Sequence, residues 1–220
     1  MPRALVIGAS GGIGAALSVA LTERGEEVIG LSRRRDGLDF ARPETIDASL
    51  GALAGPFERI IVATGILAPP GKQPEKALSQ ISARDMAHVM AVNAIGPALI
   101  LRHAPRLLPR DRPAVMAVLS ARVGSIGDNR LGGWYSYRAS KAAANQIVHT
   151  AAIELARSHR HACLIALHPG TVATPFTARY PGHRKVTPEA AARKLLGVMD
   201  GLTPADTGRF LDWAGKDIPW

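Results

Sequence analysis

Cysteine is almost missing from this chain: Cys163 stands alone among 220 residues. An internal disulfide is therefore excluded, and a cysteine-ligated metal centre is not expected. A lone cysteine of this kind reads as a small buried hydrophobe. The seven histidines are dispersed, without carboxylate or cysteine partners at ligand spacing, so no metal site is expected either. Aromatic residues make up only 5% of the chain, and no aromatic-rich strand or recognition-helix pattern accompanies its net charge of +9. That charge comes from 21 Arg and 6 Lys against 18 acids, scattered except at Arg33-Arg34-Arg35, so no nucleic-acid partner is expected. Long apolar runs are lacking too. The opening segment reaches Gly8 after four apolar residues, too few for a signal-peptide core or a bilayer span. No membrane partner is expected, and the expected location is cytoplasmic. There is no internal repeat, linker or low-complexity tract.

What remains is an ordinary globular composition, 47% hydrophobic and 20% charged, at a length that suits one domain over residues 1–220. Apolar runs at 3–8, 27–31, 60–63, 114–119, 163–167 and 210–212 read as strands. Between them, 13–24, 85–108, 137–158 and 188–199 carry helical periodicity, with Pro97 and Pro105 poorly placed inside the second of these. Strands alternating with helices predict an α/β, doubly wound, Rossmann-like and mainly parallel sheet covered on both faces. A further strand around Leu38 would follow Leu31 after only a handful of residues, where a parallel crossover needs a dozen or more. The third strand is therefore expected to be rudimentary and its covering helix deleted. Residues 173–186, rich in Pro, Gly and aromatics, read as a mobile substrate loop.

Between the first strand and the first helix stands Gly8-Ala9-Ser10-Gly11-Gly12-Ile13-Gly14. A turn without Cβ atoms at a helix N-terminus lets backbone N–H groups approach a pyrophosphate. The spacing is G-x-x-x-G-x-G and not the general G-x-G-x-x-G, so taken alone a plain glycine-rich turn is an equal reading. Where NAD enzymes commonly carry an acid at the end of the second strand, this chain has Ser32 and Arg33. A guanidinium pairs well with a 2′-phosphate, and no carboxylate stands there to prefer a ribose hydroxyl. NADP(H) is thus favoured over NAD(H), with Arg34 and Arg35 equally readable as solvated loop.

Tyr137-Arg138-Ala139-Ser140-Lys141 puts a phenol and an ammonium four residues apart on one helix face. A nearby ammonium and a positive nicotinamide ring would lower the phenol's pKa from its usual value near 10, fitting it to exchange a proton with an alkoxide. Tyr135 has Ala139 at the corresponding place and is the weaker candidate.

With the glycine turn, Asn93 in V-N-A-I-G, Y-R-A-S-K, and His168-Pro169-Gly170-Thr171-Val172-Ala173-Thr174, the chain resembles the short-chain dehydrogenases/reductases over nearly its whole length. The segment L-S-A-R-V-G-S-I-G-D-N-R-L-G-G-W-Y-S-Y and the ending F-L-D-W-A-G-K-D-I-P-W resemble its C-factor and sniffer-like carbonyl reductase branch. The resemblance implies an NADP-dependent oxidoreductase acting on a small-molecule carbonyl or alcohol. Tyr137 would be its acid/base, Lys141 would hold the nicotinamide ribose, and Asn93 would support a relay water. It also implies cofactor contacts from Asp39 to adenine, from Ala63 and Gly65, and from Pro169, Gly170, Thr171 and Val172 around the nicotinamide. Its members usually pair long helices across a two-fold axis, which implies a homodimer or homotetramer.

Two departures stand out. Ala121 occupies the usual place of the substrate-orienting serine, leaving Ser120 and Ser125 as candidates for that role. Adjacent strand side chains face opposite ways, so Ser120 would serve only if the backbone turns there, and Ser125 only by swinging in from the loop. Val62-Ala63-Thr64-Gly65 replaces the usual N-N-A-G, losing an amide that steadies the sheet while Gly65 keeps the close approach to the cofactor. Ala121 also leaves open a second class of function, an NADP-binding regulatory or signalling protein with little turnover.

Overall fold

The computed structural model describes residues 1–179 and 184–220. Six strands, β1 (Arg3–Ile7), β2 (Glu27–Leu31), β3 (Arg59–Val62), β4 (Ala114–Leu119), β5 (Ala162–His168) and β6 (Phe210–Asp212), form one sheet in the order β2-β1-β3-β4-β5-β6. Every neighbouring pair is parallel. The helices are α1 (Gly12–Glu23), α2 (Arg33–Asp36), α3 (Glu44–Gly51), α4 (Ala83–Met90), α5 (Gly96–Leu101), α6 (Ala104–Leu107), α7 (Tyr135–Leu155) and α8 (Pro188–Asp200).

Strand periodicity divides the core into two layers. Leu5, Ile7, Ile60, Val62, Met116 and Val118 face α3, α5 and α7, while Ala4, Val6, Ile61, Ala117 and Leu119 face α1 and α8. Because both faces are covered, the strands are apolar throughout instead of alternating. Each large side chain so buried stabilises the fold by about 1.5–3 kcal/mol relative to exposure. Cys163 lies in the second layer, where burial pushes its thiol up to about 12, as befits an inert packing residue.

Among the described residues no strand forms around Leu38. The expected rudimentary strand is replaced by the single turn α2, and Leu38 is buried in the loop that leads to α3. The chain is too short there to return parallel to β2, yet its apolar side chain still reaches the core. Residues 85–108, expected as one long helical stretch, do not form a single helix. After α4 the chain widens into a π-helical turn over Ala91–Ile95, where the Gly96 N–H reaches five residues back to the Ala91 carbonyl. Pro97 has no N–H for the Asn93 carbonyl, and the widened turn absorbs that defect. Pro105 opens the separate turn α6. Of the loop 173–186, residues 180–183 lie outside the described residues. Pro175–Thr177 forms a helical turn, and Val172 bridges to Val186.

Candidate active site

The parallel strands all end on one side, and a cavity of about 810 Å3 opens there. Its floor is the β1–α1 turn. Gly8 has φ +94°, and a Cβ on it would lie 2.7 Å from the Ala63 carbonyl oxygen. A Cβ on Gly14 would lie 2.2 Å from the Gly8 oxygen, and one on Gly12 would lie 2.6 Å from Thr174. Gly8 and Gly14 therefore shape the turn from behind, while Ser10, Gly11, Gly12 and Ile13 face the cavity. Gly11 caps α1 without any side-chain hydrogen bond, and the first turn of α1 holds no acid. Its N–H groups and dipole are left to an anion, which fits the pyrophosphate of a dinucleotide.

Ala63 and Gly65 form one side of this floor, and Pro169, Gly170, Thr171 and Val172 the other. A Cβ on Gly65 would sit 3.3 Å from Asn93 Oδ1 and 3.4 Å from Lys141 Nζ, so glycine keeps the backbone close to both. The neighbouring Thr64 hydroxyl is buried without a hydrogen-bond partner.

Tyr137 and Lys141 lie on one face of α7, both buried and both lining the cavity. Lys141 Nζ donates to the Leu119 carbonyl at 2.8 Å, and burial lowers its pKa to about 8. Burial also pushes the Tyr137 phenol up, opposite to the lowering expected from the ammonium. Desolvation of the phenolate is the only cause acting on it here. The helix begins two residues before the expected start because Glu75 caps it from a distance. Its carboxylate accepts the Ser136 N–H at 3.2 Å and the Ser136 hydroxyl. Sequence reasoning missed Glu75, as a cap 61 residues away carries no local signal. Just before the helix, Trp134 adopts the left-handed conformation at φ 55° and sets its ring edge-on to Tyr137 at 6.1 Å.

Asn93 is fully buried and its side chain is committed. Its Nδ2 donates to the Ile66 carbonyl at 2.8 Å and to Ser140 Oγ at 3.0 Å, and its Oδ1 accepts from the Ile66 N–H. It positions the 65–66 segment and α7, and any relay role would fall to its backbone carbonyl in the widened turn. Neither candidate serine offers a free hydroxyl proton to the cavity. Ala121 is extended at φ −144°, so the backbone does not turn there, and the Ser120 hydroxyl donates to Asn145 Oδ1 at 2.5 Å. Ser120 lines the cavity with that proton already engaged. Ser125 is buried away from the cavity, its oxygen accepting the Asp128 N–H at 3.0 Å. The methyl group of Ala121 faces the cavity instead. His168 also lines it, with Nδ1 buried and unpartnered, and burial together with the Arg122 charge lowers its pKa to about 4.

Ser32, Arg33 and Asp39 lie outside the cavity lining. Ser32 caps α2, accepting the Arg35 N–H at 3.3 Å, and Arg33 is exposed. The expectation of no carboxylate at this place needs correcting: Asp36 folds back to accept the Ser32 N–H at 2.7 Å, paired with Arg35 at 3.1 Å. Those contacts hold its carboxyl below the usual range despite some desolvation. An acid four residues after a helix-capping serine was the available signal. Asp39 is bound into the turn before α3 through the Ala41 N–H and Arg42, not into the cavity.

This geometry agrees with what comparison shows. The sequence profile described as Enoyl-(Acyl carrier protein) reductase, adh_short_C2, matches residues 8–211. The chain belongs to the short-chain dehydrogenases/reductases. It is 31% identical, over all of both chains, to a 1-hydroxy-2-glutathionyl-2-methyl-3-butene dehydrogenase of Rhodococcus sp. (strain AD45). With the C-signal of Myxococcus xanthus it shares 36% identity over 66% of this chain and 84% of that one. A short-chain dehydrogenase/reductase from Burkholderia multivorans, solved with bound NADP, superposes with TM-score 0.85 at 27% identity, over 100% of this chain and 99% of that one. Carbonyl reductases recur among the solved structures of this shape. This short-chain dehydrogenase/reductase is an NAD(P)-dependent oxidoreductase. Among the described residues there is no cluster that could hold a metal, and no helix is long and apolar enough to cross a membrane.

Proposed function

We propose that this protein reduces a small-molecule carbonyl with NADPH, Tyr137 acting as the proton donor. The observation that carries the reading is that Tyr137 and Lys141 open into the same cavity as the Cβ-intolerant glycine turn. A bound NADPH would supply hydride to the carbonyl carbon. Tyr137 Oη gives its proton to the carbonyl oxygen as charge develops there. Burial disfavours the phenolate, so the phenol holds the proton that reduction requires. Lys141, anchored on the Leu119 carbonyl, would hold the nicotinamide ribose, and its positive charge would stabilise the tyrosinate left after proton transfer. Preference for NADP(H) over NAD(H) rests on Arg33, exposed beside the strand end and without a carboxylate of its own in the ion pairs of this region, while Asp36 is neutralised by Arg35. We further expect a homodimer or homotetramer.

A second reading, nucleotide binding with little turnover, draws on Ala121 and on the likeness to C-signal. Titration with NADPH and NADH, followed by an aldehyde and ketone panel on wild type and Tyr137→Phe, separates the two. The reductase reading expects tighter NADPH binding and turnover that the substitution lowers by at least about a thousandfold with binding retained. Tight binding with no turnover on any carbonyl favours the second reading, and no nucleotide binding overturns both.

A further inference from the structure

The substrate end of the cavity is apolar and free of acids. Val123, Leu131, Trp134 and Phe176 line it, and no aspartate or glutamate lines the cavity among the described residues. Residues 180–183 contain no acid either. Three strong bases do line it. Lys141 belongs to the reaction centre, and Arg122 is neutralised by Asp128 at 2.9 Å and Asp212 at 3.4 Å. Arg138 is different. It follows Tyr137 directly, and among the described residues none of its contacts is with a carboxylate. Its Nε donates to the Gly133 carbonyl at 2.9 Å, its Nη2 to Gly132 at 3.1 Å and its Nη1 weakly to Val123 at 3.4 Å. A guanidinium carries five N–H donors, so these carbonyls fix its position and leave both N–H capacity and the whole positive charge unmatched. The pyrophosphate floor lies at the other end, at Ser10–Ile13, and does not account for this charge.

We propose that Arg138 reads an anionic group, a carboxylate or its like, on the substrate, so that the preferred substrates are carbonyl compounds with an apolar body and an acidic end. This rests on the reductase reading and adds the substrate class to it. The three carbonyl contacts hold the fork in place before binding, which reduces the side-chain ordering that binding requires. Arg138 is partly exposed, so solvent screening limits the effect to about a tenfold preference.

The test compares 4-formylbenzoate with its neutral methyl ester in two ways: kcat/KM with NADPH, and calorimetric binding to the protein in the presence of NADP+. Wild type is expected to prefer the acid about tenfold, mostly in KM. The preference should shrink severalfold between about 0.05 M and 0.5 M salt, a readout that needs no variant. Arg138→Gln should bring the acid-to-ester ratio near one, and Arg138→Lys should keep part of it. Equal handling of acid and ester by wild type, or an Arg138→Gln variant that weakens both alike, overturns the proposal while leaving the reductase intact. Selective binding of the acid with no reduction of either compound supports the anion site, and the reductase reading is then decided by the wider carbonyl panel.

Discussion

The cavity has two walls of opposite character. One, from the β1–α1 turn and Gly65, is backbone, and the nearest atoms leave no room for a methyl group at Gly8, Gly12 or Gly14. The other, from Ser120 to Arg138 and Thr174 to Thr177, is made of side chains, with a left-handed tryptophan, an alanine in place of a hydroxyl and an arginine, Arg138, held by backbone carbonyls. The first wall selects its ligand by shape and leaves no room for a side chain at Gly8, Gly12 or Gly14. The second selects by chemistry, and single substitutions there retune the protein without unmaking it.

The largest expected effect comes from the tight wall. Gly14→Ala forces a methyl group against the Gly8 carbonyl, and both stability and nucleotide binding should suffer, stability by about 1–3 kcal/mol. Urea unfolding and NADPH titration read the two losses, and an unperturbed variant would break the comparison. Next is a gain on the other wall. Ala121→Ser restores a hydroxyl at the cavity face and should raise kcat about a hundredfold, the low end of what a single transition-state hydrogen bond supplies. An unchanged kcat would mean that another group already supplies that bond. A smaller effect concerns pH. Lys141 titrates near 8 when folded and about 10.4 when unfolded, so the unfolded chain binds more protons between those values. Stability contributed by this group therefore rises with pH from about 8 upward. The urea midpoint of wild type relative to Lys141→Met should climb over that window, and a flat difference would contradict the shift. The smallest effect is Ser125→Ala, which loses one bond to the Asp128 N–H, costs about 1 kcal/mol and leaves turnover intact. A large loss of kcat would return Ser125 to the reaction.

The tight wall was legible in the sequence because crowding at Gly8, Gly12 and Gly14 admits only glycine, and glycine is visible as a letter. The sheet was legible for a similar reason, since apolar runs such as 114–119 coincide with β4. Helix boundaries were less so. The break near Pro97 was signalled by the proline, but its form as a widened turn carrying Asn93 was not. The early start of α7 was invisible, because Glu75 acts across 61 residues. On the second wall, Ala121 was seen and the serines beside it were not resolved, since which way a hydroxyl turns depends on Asn145 and Asp128, not on spacing. The local contacts of Asp36 and Asp39 were likewise decided by turns too short to carry a periodic pattern.

Loss of a strand beyond β2 has a consequence for solubility. In β2, residues 27, 29 and 31 bond towards β1, so the peptide groups of Val28 and Gly30 point outward along an unpaired border. Such a border is a template on which a second chain can add. Arg35 bends back and donates to the Gly30 carbonyl, occupying that outward acceptor with its own cation. Arg35 thus blunts one acceptor of that border with a charge, the kind of group that disfavours addition of another strand.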